Sequence, residues 1–311
     1  MRHPKPHDVA ELCRHLLGSQ AISVTRFPTG LCHYVYDVVM SDGRRVVARL
    51  ASEQTRSYLQ GGIYWSGVLR PMGVPLPKLL QADVLALPFG YMILERLPGS
   101  DLGHIYTTLS RPQKIDLVRR LREIQSQVAT LAKGKGYGHV LNPDGGFPYR
   151  SWREVLDGQL LRSRRWTEDA AVVGTEHFVR VDKRLCERQD YLTSIAATAF
   201  LDDITTKNVL VCDGTFSGIV DVDEVCFGDP LFCLALTRMS LLARDLHTDY
   251  MDDWITALAL NGDQLGALDL YTAIHCCTFI GEIGQQFNRA APAPIDRGYL
   301  SRLIGLLDQI L

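Results

Sequence analysis

Residues 200–230 read FLDDITTKNVLVCDGTFSGIVDVDEVCFGDP and contain the pattern that decides the fold. Two short apolar runs, residues 209–212 and 217–220, flank Asp213-Gly214, which predicts two antiparallel strands joined by a tight turn. Closing this hairpin places Asn208 opposite Asp221, with their Cα atoms roughly 4.5 to 5.5 Å apart. Asp203 lies in the loop before the first strand. The sequence thus predicts an amide oxygen and two carboxylates close together at one end of the ribbon.

Ligands of this kind suit Mg²⁺. This cation keeps several waters and usually takes one or two protein carboxylates, while substrate phosphates complete its shell, so a phosphoryl donor is implied. The order of these residues is also informative. In protein-kinase-like enzymes, the catalytic loop has an Asp and, five residues later, an Asn, and the metal-binding Asp follows after a hairpin. Acids and Asn favour turns for structural reasons too, but three of them in this order favour the catalytic interpretation. Asp229, by contrast, is interpreted as a structural carboxylate at a turn or helix start.

The stretch resembles the aminoglycoside phosphotransferase and choline-kinase-like family of small-molecule kinases. That family typically shows His-Gly-Asp, four intervening residues, Asn, a hairpin, Asp-Trp or Asp-x-Asp, and later Gly-Asp-Pro. The matching residues here are Leu201-Asp202-Asp203, Asn208, Asp221-Val222-Asp223 and Gly228-Asp229-Pro230. The resemblance implies that Asp203 is the base that orients or deprotonates the acceptor hydroxyl, and that Asn208 and Asp221 bind Mg²⁺. Leu201 and Asp202 replace the usual His and Gly, so the loop must be braced differently, and Asp202 is an alternative base.

The resemblance also implies an α+β, two-lobed protein-kinase-like fold. Residues 1–97 are expected to form a nucleotide-binding lobe, a small and mainly antiparallel sheet with one packed helix. Residues 98–311 are expected to form a larger, mainly helical lobe with the catalytic loop, the metal site and the substrate site. The local patterns agree, because residues 34–40 and 45–50 flank a turn at Ser41-Asp42-Gly43, and residues 117–131 carry apolar side chains at helical spacing.

Five residues are candidates for binding ATP or GTP. Gly30 stands where a glycine loop would pass over the phosphates, although Pro-Thr-Gly is also an ordinary turn. Arg49 interrupts the apolar run 46–51, so its guanidinium needs an anionic partner. In the resembling family the equivalent residue holds the α and β phosphates; the alternative is a pair with a structural carboxylate. The resemblance further implies that backbone groups from Glu95 to Leu97 bind the adenine edge, and Lys207 is a candidate for contacting the transferred phosphoryl group.

The helix that follows Arg49 lacks its usual acid. Kinase-like folds supply a Glu from this helix to pair with the strand cation, whereas this chain has Gln60-Gly61-Gly62-Ile63-Tyr64-Trp65. Between residues 52 and 82 the only acid is Glu53. The sequence therefore predicts a nucleotide lobe without its usual ion pair.

Composition restricts the class of protein. With 311 residues, 46% of them hydrophobic, the chain can bury a large core in one or two domains. It has no apolar run long enough to span a bilayer and no apolar region of a secretion signal at its N-terminus. The eight cysteines lack the spacing of a zinc site and suit reduced thiols. We therefore expect a cytoplasmic protein without a membrane partner.

Charge is unevenly distributed along the chain. Residues 1–199 carry 27 Lys and Arg against 19 Asp and Glu, whereas residues 200–311 carry 6 against 16. This fits a nucleotide-binding front half with a metal-loaded back half, and equally a back half that accepts a cationic substrate; ordinary surface charge is the alternative. No basic run with interleaved aromatic residues predicts a nucleic-acid partner.

The helices after the hairpin are expected to hold the acceptor. Its candidate contacts are Asp245, Asp249, Asp252, Asp253 and Glu282, with Tyr250 and Trp254 as stacking surfaces. For each of them alone, a solvated helix face is the favoured interpretation. Together they suit a polyhydroxyl or amine-bearing small molecule.

The sequence thus predicts a Mg²⁺-dependent phosphotransferase that moves the γ-phosphoryl group of ATP or GTP to a hydroxyl of an aminoglycoside-like or other polyhydroxyl or amino compound. The alternative is a catalytically weak or inactive nucleotide-binding module on the same scaffold. The module is favoured by the positions at which this chain lacks the family's usual loop His, strand Lys and helix Glu. The enzyme is favoured by the retained Asp203, Asn208 and Asp221. A protein kinase is disfavoured because Gly228-Asp229-Pro230 follows the hairpin almost at once and leaves no room for a peptide-binding segment.

Overall fold

The computed structural model describes residues 3–28, 32–289 and 291–311. Its strands are β1 (Ala21–Arg26), β2 (Tyr34–Met40), β3 (Arg45–Ala51), β4 (Leu79–Asp83), β5 (Gly90–Glu95), β6 (Ser100–Asp101), β7 (Gly138–Val140), β8 (Thr198–Phe200), β9 (Val209–Cys212), β10 (Thr215–Ile219) and β11 (Val225–Gly228). Its α-helices are α1 (Pro6–Leu17), α2 (Arg56–Leu69), α3 (Leu102–Ile105), α4 (Arg111–Val128), α5 (Trp152–Ala170), α6 (Glu176–Glu187), α7 (Gln189–Ser194), α8 (Leu231–Leu242), α9 (Asp249–Leu258), α10 (Gly262–Glu282) and α11 (Arg297–Ile310).

The front of the chain forms a five-stranded sheet. Its strand order is β1-β2-β3-β5-β4, and every neighbouring pair is antiparallel. The predicted β2–β3 hairpin is confirmed. Its turn contains Gly43 at a φ of 85°, a left-handed conformation that glycine adopts at little cost. Strand β4 was not predicted, because its short sequence Leu-Leu-Gln-Ala-Asp lacks the alternation of a half-buried strand.

The two faces of this sheet pack against different helices. On one face, Val9 of α1 packs with the side chains of β2 and with Ala48 of β3. On the other face, Leu59 of α2 packs with Met92 of β5. Because side chains alternate along a strand, Arg49 points to the side of α2.

Residues 96–99 connect the sheet to the helical lobe. They lead into β6, which pairs with β9 of the β9–β10 hairpin. Gly99 has a φ of 94°, and a Cβ atom there would overlap the backbone of Val211. Only glycine lets the connection pass this close to the hairpin. The boundary expected from the sequence, between residues 97 and 98, lies in this connection and stays a prediction.

The larger lobe is mainly helical and is organised around α10, which packs against α5, α8 and α11. Most of α10 is buried, and at its centre Trp152, Phe232 and Tyr271 make edge-to-face ring contacts. The α+β, two-lobed architecture predicted from the sequence is therefore confirmed.

Asp229 lies at the start of α8 and is 5% exposed. Its Oδ1 accepts a hydrogen bond from the Leu231 N–H at 3.1 Å, and its Oδ2 accepts from the hydroxyls of Tyr191 at 2.8 Å and Tyr271 at 2.9 Å. The carboxylate is thus used to begin a helix and to join it to two others, in agreement with the structural interpretation of Gly228-Asp229-Pro230.

Arg188 separates α6 from α7 in the helical lobe. The same lobe contains the short strand β7, which pairs with β11, and β11 pairs in turn with β8. These strands are three or four residues long and pair with distant parts of the chain, so no local pattern indicates them.

All eight cysteines are free thiols. In the described ranges, we find no helix that combines the length and the apolar character needed to cross a membrane.

Candidate active site

A cavity of about 370 Å³ lies between the sheet and the β9–β10 hairpin. Part of its lining is apolar, with Val47 of the sheet and Leu210 of the hairpin. The cavity also brings together six of the predicted site residues, namely Arg49, Glu95, Leu97, Lys207, Asn208 and Asp221. Gly30 lies outside the described residues. Asp203 adjoins the cavity through a hydrogen bond to Asn208.

The β9–β10 hairpin turns at the predicted Asp-Gly pair, but its register differs from the prediction by one residue. An irregularity between Phe216 and Gly218 shifts the pairing. As a result, the N–H of Val220 donates to the carbonyl of Asn208 at 3.0 Å. Asn208 therefore lies opposite Val220, and the prediction that it faces Asp221 directly is wrong.

Asn208 and Asp221 still meet at the cavity. Asp221 has a φ of 65°, which is uncommon for a residue other than glycine and turns the chain where β10 has ended. Asn208 is 3% exposed, and its Nδ2 donates to the carbonyl of Asp203 at 3.0 Å. This bond uses the donor end of the amide and leaves its Oδ1 to accept. In the described part of the chain, no three His, Cys, Asp or Glu side chains are grouped to hold a metal by themselves.

The carboxylate of Asp203 is close enough to Asp221 and Lys207, two residues of the cavity lining, for their charges to interact. Its Oδ1 accepts a hydrogen bond from the Thr205 hydroxyl at 2.9 Å. The side chain touches solvent but lies among many protein atoms, and this desolvation raises its pKa. The nearby charges of Asp221 and Asp202 add to the effect, and together they raise the pKa of Asp203 to about 7. A carboxylate with a pKa near neutrality is suited to accept a proton.

The catalytic loop, residues 201–208, is braced by side chains from outside the loop. Leu201 is buried, and both polar groups of its backbone bind Gln125 of α4: its N–H donates to Oε1 at 2.9 Å, and its carbonyl accepts from Nε2 at 2.8 Å. His139 of β7 contacts Asp202, with 2.8 Å between Nε2 and Oδ2. Asp202 is thus engaged by a histidine, whereas Asp203 is exposed, and this difference favours Asp203 over Asp202 as the base.

Helix α2 offers Arg49 no acid, as predicted, but Arg49 has carboxylate partners elsewhere, as in the alternative considered from the sequence. Its Nη1 donates to Asp223 Oδ1 at 2.8 Å, and its Nη2 donates to Asp223 Oδ2 at 2.7 Å and to Asp221 Oδ1 at 2.6 Å. Burial opposes the charge of Arg49, but the two carboxylates outweigh it and raise the pKa of the guanidinium. Glu53, the acid considered from the sequence, is exposed. The carboxylate comes instead from the loop after the hairpin.

Glu95 and Leu97 lie where the sheet meets the connection between the lobes. The Oε2 of Glu95 accepts from the N–H of Lys78 at 3.4 Å, and the carbonyl of Leu97 accepts from Nη1 of Arg96 at 3.0 Å. The N–H of Arg96 donates to the carbonyl of Arg45 at 3.3 Å. Side chains and backbone therefore fix this edge of the cavity in position.

The candidates Asp249, Tyr250 and Trp254 of α9 make their contacts inside the helical lobe. Asp249 accepts hydrogen bonds from Lys114 of α4, at 3.0 Å, and from Tyr106, also at 3.0 Å. Tyr250 and Trp254 are each 1% exposed, so the prediction that they form stacking surfaces is wrong. They belong to the core of the helical lobe.

Among these candidates, Glu282 of α10 is close enough to Lys207, a residue of the cavity lining, for their charges to interact. It is partly buried, and burial raises its pKa against the opposing charges of Lys207 and Arg162. Burial likewise raises the pKa of Glu224, and the negative charges of Asp223 and Asp202 add to this effect. The positive charges of His139 and Arg162 oppose it. Two partly buried acids, Glu224 and Glu282, therefore interact electrostatically with residues of the catalytic loop.

Sequence reasoning missed several side chains of this site, among them Gln125, His139 and the Asp223 that pairs with Arg49. Two signals for Asp223 were available. Asp223 is a second acid two residues after Asp221. In addition, two adjacent glycines occupy the part of the helix where the partner Glu was expected. Gln125 had no such signal, because it lies within an ordinary amphipathic helix.

Several solved structures are similar over nearly the whole chain. A thermostable mutant of aminoglycoside phosphotransferase APH(4)-Ia, in a ternary complex with AMP-PNP and hygromycin B, has a TM-score of 0.69 at 18% identity, and 97% of each chain is covered. The GDP complex of wild-type aminoglycoside 2'-phosphotransferase-IIIa has a TM-score of 0.71 at 15% identity, with 99% of this chain and 98% of that chain covered. The streptomycin-ATP-APH(2")-IIa ternary complex has a TM-score of 0.67 at 12% identity, with 99% and 97% covered.

At these identities, the likeness establishes the fold. No curated protein sequence matches the chain. The sequence profile of the phosphotransferase enzyme family, however, matches residues 23–271. This span includes Arg49, the connection between the lobes, the catalytic loop and the hairpin with its acids. The chain therefore belongs to the phosphotransferase enzyme family.

Proposed function

We propose that this chain transfers the γ-phosphoryl group of ATP or GTP to a hydroxyl group of a small molecule. The observation that carries the proposal is the convergence of Arg49, Asn208 and Asp221 on one cavity, with Asp203 hydrogen-bonded to Asn208. This places a cation for phosphates, oxygen ligands for a metal and a base beside one another. These are the parts that phosphoryl transfer requires.

The cavity suits a nucleotide. Its volume of about 370 Å³ falls within the usual range for small-molecule sites. The apolar side chains Val47 and Leu210 offer surfaces for the adenine or guanine ring, and Glu95 to Leu97 supply backbone groups along the same cavity. Arg49 and Lys207 bring positive charge to it. Either ATP or GTP fits this description.

The pair of Asn208 and Asp221 fits Mg²⁺. The Nδ2 of Asn208 is used by the loop, so its Oδ1 is the end available to the cation, and Asp221 is half exposed and supplies hard carboxylate oxygens. Nucleotide phosphates and water would complete the shell. When bound, the cation would neutralise charge that develops on the transferred group.

The protein side chains would act on the acceptor and on the nucleotide. Asp203 would hold the acceptor hydroxyl and accept its proton while the new bond forms between oxygen and the γ-phosphorus. The bond between that phosphorus and the β–γ bridging oxygen breaks, and ADP or GDP leaves. Arg49, and with it Lys207, would stabilise the phosphate charge. Such catalysis consists mainly of positioning and charge stabilisation.

The acceptor would be a polyhydroxyl or amine-bearing compound. Glu224 and Glu282 lie near the catalytic loop together with Asp202, and this negative charge favours a ligand that carries amino groups. Two of the similar structures contain hygromycin B and streptomycin, respectively. We therefore place aminoglycosides first among the candidate acceptors, followed by amino alcohols, macrolides and sugars.

A mass-spectrometric screen tests the proposal. Purified protein is incubated with Mg²⁺, with ATP or GTP, and with a panel of these four classes of compound. A mass gain of one phosphate on a panel member is expected, and it should be absent when Asp203→Asn replaces the wild-type protein. Nucleotide binding without transfer to any panel member and without Mg²⁺-dependent hydrolysis would instead support the inactive binding module.

A further inference from the structure

We propose that Asp223 positions Arg49 for the nucleotide and takes over the role that a helix glutamate has in protein kinases. In those enzymes, the strand cation must be paired with a Glu of the neighbouring helix. The inference deepens the proposed function and rests on it, because it concerns how the nucleotide phosphates are held.

The first argument is the geometry of the contact. Both terminal nitrogens of Arg49 donate to the two oxygens of Asp223, at 2.8 and 2.7 Å. This is the parallel, two-bond arrangement in which arginine and a carboxylate bind most specifically. The side chains are 6% and 13% exposed, respectively. A guanidinium held by two bonds in a buried setting has a fixed direction.

The second argument comes from α2, where space is reserved for Asp223. A Cβ atom on Gly62 would lie 2.6 Å from Asp223 Oδ1, and one on Gly61 would overlap the backbone carbonyl of Asp223. Any other residue at these positions would therefore displace Asp223. The tandem glycines thus explain both why the helix offers no acid and how the loop can deliver one.

The third argument is that Asp223 also holds the strand next to Arg49. Its Oδ2 accepts a hydrogen bond from His33 Nε2 at 2.8 Å, just before β2 begins. The carbonyl of His33 in turn accepts from Nδ2 of Asn288, at 2.6 Å, in the segment after α10. One carboxylate therefore connects two neighbouring strands of the nucleotide lobe to the loop that carries Asp221.

These contacts separate the tasks of the two aspartates. Asp221 accepts a single bond from Arg49 and its side chain is 46% exposed, so it can turn toward a cation. Asp223 keeps both of its bonds to Arg49 when that happens. The three bonds of Arg49 use three of its five N–H donors, which leaves two for phosphate oxygens.

The test measures direct binding of ATP and GTP in the presence of Mg²⁺, by calorimetry, together with thermal unfolding. Asp223→Ala should weaken nucleotide binding roughly ten-fold or more, the effect of losing a charged hydrogen-bonded pair. Gly62→Ala should also weaken binding, because the new methyl group displaces the carboxylate. Gly67→Ala is the matched control, since it lies on the same helix with nothing within 4 Å of an added Cβ. It should bind like the wild type.

A rescue variant separates positioning from general support of the fold. A Cβ on residue 62 points at the space of the Asp223 carboxylate, whose Oδ1 is 2.8 Å from Arg49 Nη1. Gly62→Asp combined with Asp223→Ala should therefore recover much of the affinity that Asp223→Ala loses. In the Asp223→Ala background, Gly62→Ala should cause no further loss.

The outcomes distinguish this inference from the proposed function. If the wild type binds nucleotide and Asp223→Ala binds it equally well, the inference is wrong and the function stands. The same holds if Gly62→Ala and Gly67→Ala have equal affinities. If the wild type binds neither nucleotide, the proposed function fails and the inference fails with it.

Discussion

Gln125 binds both backbone polar groups of Leu201, so a single side chain joins α4 to the start of the catalytic loop. The contact lies two residues before Asp203. It also explains how the chain tolerates a leucine where the resembling family has histidine. The bracing bonds are made to the backbone of residue 201, and its side chain is free to join the core.

Replacing this glutamine should reduce turnover without reducing nucleotide affinity. Gln125→Leu leaves the N–H and carbonyl of Leu201 unpaired, which costs about 1–3 kcal/mol for each group that stays buried. The loop then shifts, and a displacement of about 1 Å in a catalytic group can lower the rate by about 10²-fold. Steady-state rates and nucleotide titrations check this. Gln127→Leu on the same helix is the control, and equal rates for both variants would contradict the bracing role.

Replacing Asp202 and replacing Asp203, the two adjacent acids of the loop, should lower the transfer rate to different extents. Asp203→Asn removes the proposed base, so the transfer rate should fall by about 10²–10⁴-fold, while nucleotide binding should be retained. Asp202→Asn should lower the rate less, because that carboxylate contacts His139. Single-turnover transfer rates decide between the two. An inactive Asp202→Asn beside an active Asp203→Asn would reverse the assignment.

Metal dependence should follow Asn208 and Asp221. Chelation of divalent cations should abolish transfer, and Asn208→Ala and Asp221→Asn should each raise the Mg²⁺ concentration needed for half-maximal rate, because each removes an oxygen ligand. Asp213→Asn, at the far end of the same hairpin, should leave that concentration unchanged. Rates across a Mg²⁺ titration make the comparison. A normal titration curve for Asp221→Asn would exclude it as a ligand.

The pair of Lys114 and Asp249 should stabilise the helical lobe in a pH-dependent way. Burial acts to raise the pKa of Asp249, but hydrogen bonds from Lys114 and Tyr106 outweigh it and lower this pKa. A carboxylate whose pKa is lower in the folded state stabilises the fold above its unfolded pKa of about 3.9, and this contribution is lost as the pH falls through the folded value.

Asp249→Asn should therefore lower the free energy of unfolding at pH 7 by about 1.5–3 kcal/mol, as for hydrogen bonds to charged groups. The difference in free energy of unfolding between Asp249→Asn and the wild type should become smaller as the pH is lowered from about 5 to below the unfolded pKa of about 3.9. Urea unfolding across this range measures it. Asp252→Asn, on the exposed face of α9, is the control. A difference that grows as the pH falls would contradict the sign of the shift.

The parts of the fold that the sequence predicted are those with local signals. The turn at Gly43 and the Asp-Gly turn at residues 213 and 214 both need left-handed backbone, and both hairpins occur as expected. The spacing of apolar residues likewise predicted α4. The register of the second hairpin was missed because the second strand begins at Thr215, directly after a two-residue turn, and because a bulge between Phe216 and Gly218 then shifts the pairing by one residue.

Six candidate residues named from the sequence line one cavity, but the sequence did not predict the contacts between them. Asp223 lies 174 positions from Arg49 along the chain, so no spacing in the sequence links them. Tyr250 and Trp254 were misassigned because an aromatic residue on an amphipathic helix can belong to the core or to a ligand surface, and only packing distinguishes the two.

The tandem glycines of α2 also predict how related sequences vary. A helix carboxylate and Asp223 would compete for one space beside Arg49, so a chain should not carry both. Close relatives should keep Gly61, Gly62 and Asp223 together, whereas a relative with an acid on this helix should have lost the aspartate. Changing from one arrangement to the other requires at least two substitutions, and the single-substitution intermediates should be the variants with the weakest hold on nucleotide.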